Sequence, residues 1–350
     1  MAERKVRYRT GSSDLDRLID ELLDAAGATA HRGLLFEILV SAVRLARDNV
    51  DPLDLKITNA ALKEMRNAFR TFQPYRNVPK VAVFGSARTR EDDPLYAQAR
   101  DVANALAREG WMVVTGAGPG IMAAATEGAG REHSLGVSIR LPFEQQTNPT
   151  IAADGKLVSM KYFFTRKLML VKESKAFVCL PGGFGTLDET FELLTLTQTG
   201  KGSPVPIVFL DIPGGTYWEH CREFIQTELV SRALVTPDDL NLFLVTDDVE
   251  RARAEICDYY VNYDSMRFVG DHLVIRLRHA PTGQQLADLE RRFGDLAVRG
   301  GIVATEPFPE EVDDDDRLDL PRIMLDFDKR RTGVLRALID ALNDLAPANA

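Results

Sequence analysis

Cysteine is scarce: Cys179, Cys221 and Cys257 are the only three, odd in number and far apart. They form no CxxC pair and no Cys/His cluster of metal-ligand spacing. A disulfide-stapled fold and a zinc module are therefore excluded, and a reducing cytoplasm is the expected compartment. No apolar run approaches the roughly 20 residues needed to cross a bilayer, and the start, MAERKVRYRTGSSDLDR, lacks the apolar stretch of a secretory signal. An excess of positive charge is also missing. The chain has 43 Lys and Arg against 52 Asp and Glu, a net charge of −9 over 350 residues, which disfavours general binding to nucleic acid. No Gly-Lys-Ser/Thr follows a glycine loop, so there is no Walker motif. His31, His133, His220, His272 and His279 show no ligand spacing, so no metal and no cofactor are expected. Repeats and low-complexity linkers are absent.

What remains is ordinary globular composition, 45% hydrophobic and 27% charged, in a length that suggests about two domains. Residues 1–76 read as a helical extension. Leu15, Leu18, Ile19, Leu22 and Leu23 share one face of a helix over 12–26, with Ser13 and Asp16 spaced like a capping box and Gly27 as its C-cap. Further helices are expected over 32–48 and 58–72. From residue 77 to 262 short apolar runs alternate with helical segments. Strands are expected at 81–85, 111–116, 135–141, 176–181, 206–211 and 241–246, with helices at 93–110, 118–130, 165–174, 186–198, 217–232 and 247–260. That alternation predicts an α/β fold, a Rossmann-like doubly wound parallel sheet. Residues 263–350 read as a small α+β appendage, with strands at 272–280, 301–306 and 321–328 and helices at 282–297 and 330–345. Its acidic run at 310–319 lacks the spaced oxygens and the glycine of a calcium loop and reads as a solvated loop. Trp111 and Trp218 are expected in the core.

Three strand ends carry glycine: Gly85-Ser86-Ala87-Arg88, Gly116-Ala117-Gly118-Pro119-Gly120, and Pro181-Gly182-Gly183-Phe184-Gly185-Thr186. A strand, a glycine loop and a helix N-terminus together make an anion site, because free backbone N–H groups and the helix dipole both favour negative charge. Thr186 is placed to cap a helix and to donate its hydroxyl to an anion. Two readings of Glu189 fit its spacing: a first-turn acid favoured by the helix dipole, or an acid or base beside a bound phosphosugar.

The nonapeptide Pro181-Gly182-Gly183-Phe184-Gly185-Thr186-Leu187-Asp188-Glu189 resembles the PGGxGTxxE signature of the Lonely Guy (LOG) family. Arg166-Lys167 stands where that family carries its Arg-Lys pair, and Glu192 and Gln198 match positions further on. The resemblance covers roughly residues 75–250, so the flanking segments mark a longer bacterial type. It implies a Rossmann-like fold and hydrolysis of nucleoside 5′-monophosphates, including cytokinin riboside monophosphates, to free base and ribose 5-phosphate. Glu189 and Arg166 are then the catalytic pair. Gly182, Gly183, Gly185, Thr186, Gly85, Ser86, Gly116, Gly118, Gly120 and Lys167 are assigned to the phosphate and nucleotide. The expected partner is a purine nucleoside 5′-monophosphate, with no nucleic acid and no membrane, and the expected assembly is a homodimer or larger homo-oligomer. This chain departs from the pattern at Ala117, where relatives carry a third glycine and a methyl is expected to narrow the ligand's approach. Ala123 stands in place of a glutamate, and Ala87-Arg88 follow the first loop's Ser86. These departures bear on substrate choice more than on reaction type. The alternative is a non-catalytic nucleotide or molybdenum-cofactor carrier with the same pocket. No lysine stands out as a Schiff-base anchor.

Overall fold

Short β-branched runs flanked by glycine and by amphipathic stretches favour buried parallel strands joined through helices. A computed structural model describes this arrangement for residues 8–140, 148, 150–152 and 154–347. The chain divides into two compact units, at Glu64/Met65.

In the first unit, α1 (Ser13–Ala25) and α2 (Arg32–Arg47) precede the start of α3 (Pro52–Phe72). Ile19 and Leu23 of α1 close on Phe36 and Val40 of α2, each such burial contributing about 1.5–3 kcal/mol. The expected Ser13–Asp16 capping box does not form. Asp16 instead accepts from the N–H and hydroxyl of Thr10, at 2.9 and 2.7 Å, which fastens the preceding segment to the helix. Gly27 ends the helix in the left-handed region, at φ 67°. Leu18, Leu22, Leu34 and Ile38 are left exposed.

The second unit runs β1 (Lys80–Phe84), α4 (Pro94–Arg108), β2 (Met112–Thr115), α5 (Ile121–Ala129), β3 (Ser134–Ile139), β4 (Leu157–Met160), α6 (Phe163–Glu173), β5 (Ala176–Cys179), α7 (Phe184–Gln198), β6 (Ile207–Leu210), α8 (Tyr217–Phe224), β7 (Leu244–Thr246) and α9 (Val249–Asp258). The strands form one parallel seven-stranded sheet in the order β4-β3-β2-β1-β5-β6-β7. Alternate residues feed two cores. Val81 and Val83 of β1 and Ala176 and Val178 of β5 face the α4, α5 and α9 side, while Ala82, Phe84, Phe177 and Cys179 face the other. Trp111 and Trp218 are both buried, as expected from the sequence.

Two local expectations shift. Strand β4 was not anticipated, because a four-residue edge strand with one exposed position carries little pattern. Residues 241–246 are strand only from Leu244, because Pro237 opens a 3-10 turn over Pro237–Leu242, capped reciprocally by Thr236 and Asp239. Leu141, the expected end of the third strand, lies outside the described residues.

A smaller antiparallel sheet follows, formed by β8 (Tyr263–Val269), β9 (His272–Leu277), β10 (Val303–Thr305) and β11 (Arg322–Leu325) in the order β10-β11-β9-β8. Helices α10 (Gly283–Phe293) and α12 (Thr332–Asn343) contribute Leu289, Leu335, Leu338 and Ile339 to its core. Strand β8, YDSMRFV, has too mixed a composition to read in advance. Most of the acidic run is solvated as expected, with Glu310, Asp313, Asp314, Asp315 and Asp319 exposed, but one of its acids is not. Pro309–Asp313 is a short helix, α11, whose Glu311 is fully buried against Arg276 and Arg322 at 2.6 and 2.9 Å, and Asp316 also reaches Arg276 at 2.8 Å. Buried arginines drew Glu311 inward, because an unpaired buried charge is far costlier than a paired one. The smaller sheet is tied to the larger one through Tyr259, whose hydroxyl donates to the Pro204 carbonyl at 2.7 Å, and through Thr332, which donates to the Gln198 carbonyl at 3.1 Å.

Candidate active site

Strand order reverses at β1, which lies between β2 and β5, so the crevice beyond the carboxyl ends of these three strands is the expected ligand position. Each of the three glycine loops leaves one of these ends, and backbone bonds stitch them together. Ser86 N–H donates to the Pro181 carbonyl at 3.3 Å, and Ile121 N–H to the Ser86 carbonyl at 3.0 Å. Two glycines are required by this contact. Gly120 has φ 66°, and a Cβ there would stand 2.3 Å from the Ser86 carbonyl oxygen. At Gly182 a Cβ would stand 2.2 Å from Thr186 Oγ1.

The loops enclose one side of a cavity of about 770 Å³. Apolar walls come from Phe84, Met122, Ile139 and Phe163. The backbone N–H groups of residues 182–186 find no protein acceptor among the described residues. Leu187 N–H is the first to bond back, to the Gly183 carbonyl at 3.1 Å. A helix start leaves its first N–H groups unpaired, and here they meet the positive end of the α7 dipole at a cavity wall.

Glu189, one turn into α7, is only 7% exposed and lines the same cavity. Its Oε2 lies 3.1 Å from Lys167 Nζ, which also meets Asp188 at 2.9 Å and Glu192 at 2.6 Å. Burial raises the Glu189 carboxyl above the ordinary range; Lys167 and Arg166 oppose that shift, and Glu192 adds to it. Burial also works against the charge on Lys167, but its carboxylate partners outweigh burial and its pKa is raised. Arg166 donates from Nε to the Val137 carbonyl at 3.0 Å, and burial lowers its pKa while Glu189 opposes the shift.

Of the residues singled out from sequence, Glu189, Arg166, Gly182, Gly183, Gly185, Thr186, Gly85, Ser86 and Gly116 share this wall. Three others lie outside it. Gly120 seats the first loop, Gly118 packs against the Met122 side chain, and Lys167 stands behind Glu189 on an adjoining groove with Phe191 and Glu192. The Ala117 methyl does not narrow the cavity. The residue is buried at φ 57° with its Cβ turned toward Gly136, away from the ligand space. Arg88, Met122, Ile139, Phe163, Asp188 and Tyr217 also line the cavity without having been singled out as site residues. Their shared signal is position: each lies within a few residues of a sheet strand's carboxyl end or in the helix after it. Among the described residues no group of three or more His, Cys, Asp or Glu is arranged to hold a metal ion, and no helix is long and apolar enough to cross a membrane.

A family model described as possible lysine decarboxylase matches residues 120–256. A lysine that forms a Schiff base needs a depressed pKa. Lys167, the lysine beside Glu189, is shifted the other way. The chain is 30% identical over 176 residues to a cytokinin riboside 5′-monophosphate phosphoribohydrolase of Mycobacterium tuberculosis, an alignment that takes in 49% of this chain and 90% of that protein. Identity to the enzyme LOG5 of Arabidopsis thaliana, of the same description, is 26% over 169 residues, covering 47% and 71%. Among solved structures, a molybdenum cofactor carrier protein of Chlamydomonas reinhardtii aligns at a TM-score of 0.36 and 23% identity, over 51% of this chain and 95% of that one. With a glycine-loop cavity at the switch point, Glu189 beside it, and a bacterial relative matched over nine-tenths of its length, the chain belongs to the Lonely Guy (LOG) family.

Proposed function

We propose that the protein hydrolyses the N-glycosidic bond of purine nucleoside 5′-monophosphates, AMP or cytokinin riboside monophosphates, to free base and ribose 5-phosphate. One observation carries the reading: a buried carboxylate, Glu189, opens onto the same cavity as five backbone N–H groups, about one helical turn before it, that have no protein acceptor among the described residues. The N–H groups of 182–186, with Thr186 and Ser86, hold the 5′-phosphate. Anchoring that remote group fixes the sugar, so binding energy is converted into orientation. The transition state carries oxocarbenium character on the ribose. Glu189 stabilises that charge and takes a proton from water as the oxygen adds to C1′. The C1′–N bond breaks with its electron pair going to the base, which picks up a proton on leaving. The Arg166 cation, coupled electrostatically to Glu189, favours the carboxylate form that the reaction needs.

Lys167 has a second effect. Its bonds to Asp188 and Glu192 join α7 to α6, and its own pairing with Glu189 holds the carboxylate in place. The test is a panel of nucleoside monophosphates and their nucleosides, with free base and ribose 5-phosphate measured as products. AMP should release adenine and adenosine should react poorly. Binding without release of base would favour the carrier reading, and equal turnover of nucleoside and nucleotide would remove the phosphate cradle from the mechanism.

A further inference from the structure

The turn after β6 reaches back to the third glycine loop. Asp211, buried at the end of β6, accepts the Ile212 N–H at 2.9 Å through Oδ1 and the Tyr217 N–H at 3.0 Å through Oδ2. Gly215 fits so closely on this carboxylate that a Cβ would stand 2.3 Å from Oδ1. Helix α8 therefore starts in one orientation, and the Tyr217 hydroxyl donates to the Gly182 carbonyl at 2.7 Å. The Gly182 C=O and the Gly183 N–H belong to one planar trans peptide and point in opposite directions. Holding the carbonyl on Tyr217 consequently turns the N–H away from Tyr217. This N–H has no protein acceptor among the described residues, and Gly183 is on the cavity wall. A Cβ at Gly183 would meet nothing within 4 Å, so neighbouring side chains do not brace this peptide through residue 183. Two consecutive glycines would otherwise leave it rotationally soft.

We propose that Tyr217 is a positioning residue whose hydroxyl aims the Gly183 N–H at the phosphate-binding end of the cavity. The inference rests on the phosphate-cradle reading and goes beyond it by assigning the cradle's orientation to a side chain from the next βα unit. Tyr217→Phe removes the donor and keeps the ring. The full-length protein and this variant are titrated with inorganic phosphate and with adenosine by calorimetry, and AMP kinetics are recorded for both. Loss of one hydrogen bond to the loop should raise the phosphate Kd and the AMP KM roughly five- to tenfold, with a smaller fall in kcat and with adenosine affinity held within about twofold. Equal phosphate affinity in the two proteins overturns the proposal, and so does failure of the wild type to bind phosphate. A matched loss of phosphate and adenosine binding also overturns it, since that marks general loosening. A wild type that binds phosphate but hydrolyses no nucleoside monophosphate removes the reaction assignment alone, and the phosphate comparison still decides the role of Tyr217.

Discussion

Glu189 carries the strongest conflict between stability and function. A carboxylate whose folded pKa is raised binds its proton more tightly in the native state than in the unfolded chain. Its contribution to stability is therefore present at low pH and lost as pH rises through the folded value. Glu189→Gln removes that cost, so the variant should melt no lower than the wild type near neutral pH. Turnover should still fall on the order of 10²–10⁴-fold if the carboxylate acts as base. Near-full activity in the folded variant would leave Glu189 as a helix-end acid. The same shift places the acid limb of kcat/KM above the ordinary carboxylate value of 4.5. Lys167 opposes the shift, so Lys167→Met should move the limb to still higher pH; a limb that stays in place would show that Lys167 does not tune this carboxylate. The sequence made Glu189 legible as a candidate through the PGGxGTxxE spacing. The caging of Lys167 by Asp188, Glu189 and Glu192 was not legible, because it depends on the angle at which α6 meets α7.

At the scale of elements, the three strand–loop–helix turns act as one part. Gly120 and Gly183 separate its two tasks. Gly120→Ala forces a methyl onto the Ser86 carbonyl in a left-handed backbone, which costs about 1–3 kcal/mol and should lower the melting temperature. Gly183→Ala enters open space at an ordinary backbone angle, so the fold should hold. Its methyl nonetheless stands beside the loop N–H groups assigned to the phosphate, and AMP affinity should drop. Thermal melts with AMP titrations separate the two variants; a Gly183→Ala protein that binds AMP normally would place the phosphate elsewhere. Glycine after each strand announced these turns. The backbone bonds that join them did not appear in the sequence, because residues 86, 121 and 181 become neighbours only when β1, β2 and β5 lie side by side.

Across the whole molecule, charge and apolar surface set two further expectations. Glu311 is fully buried between Arg276 and Arg322, and removing it leaves two guanidinium groups short of a partner. Glu311→Ala should destabilise the fold by about 3–5 kcal/mol. Although burial alone would raise it, hydrogen bonds from the Phe308 N–H and both arginines hold this carboxyl below its ordinary value. Its contribution is thus present above the unfolded pKa and lost as pH falls through the folded one, a loss that acid titration of the variant should lack. Beside the cavity, Phe163, Phe164, Leu168 and Phe184 are exposed on α6 and at the start of α7. An apolar patch of this kind favours association, and we expect at least a homodimer by light scattering. A stable, active monomer at low micromolar concentration would reject this.

The sequence alone determined the alternation of strand and helix, the position of the glycine turns and the family signature, because local pattern and short spacing carry that information. Only the tertiary structure decided that β4 extends the sheet, that Ala117 faces the interior, that Glu311 of the acidic run is buried, and that Tyr217 grips the third loop. Each of these depends on partners distant in sequence. A residue's own composition does not reveal the charge or carbonyl it will meet when packed.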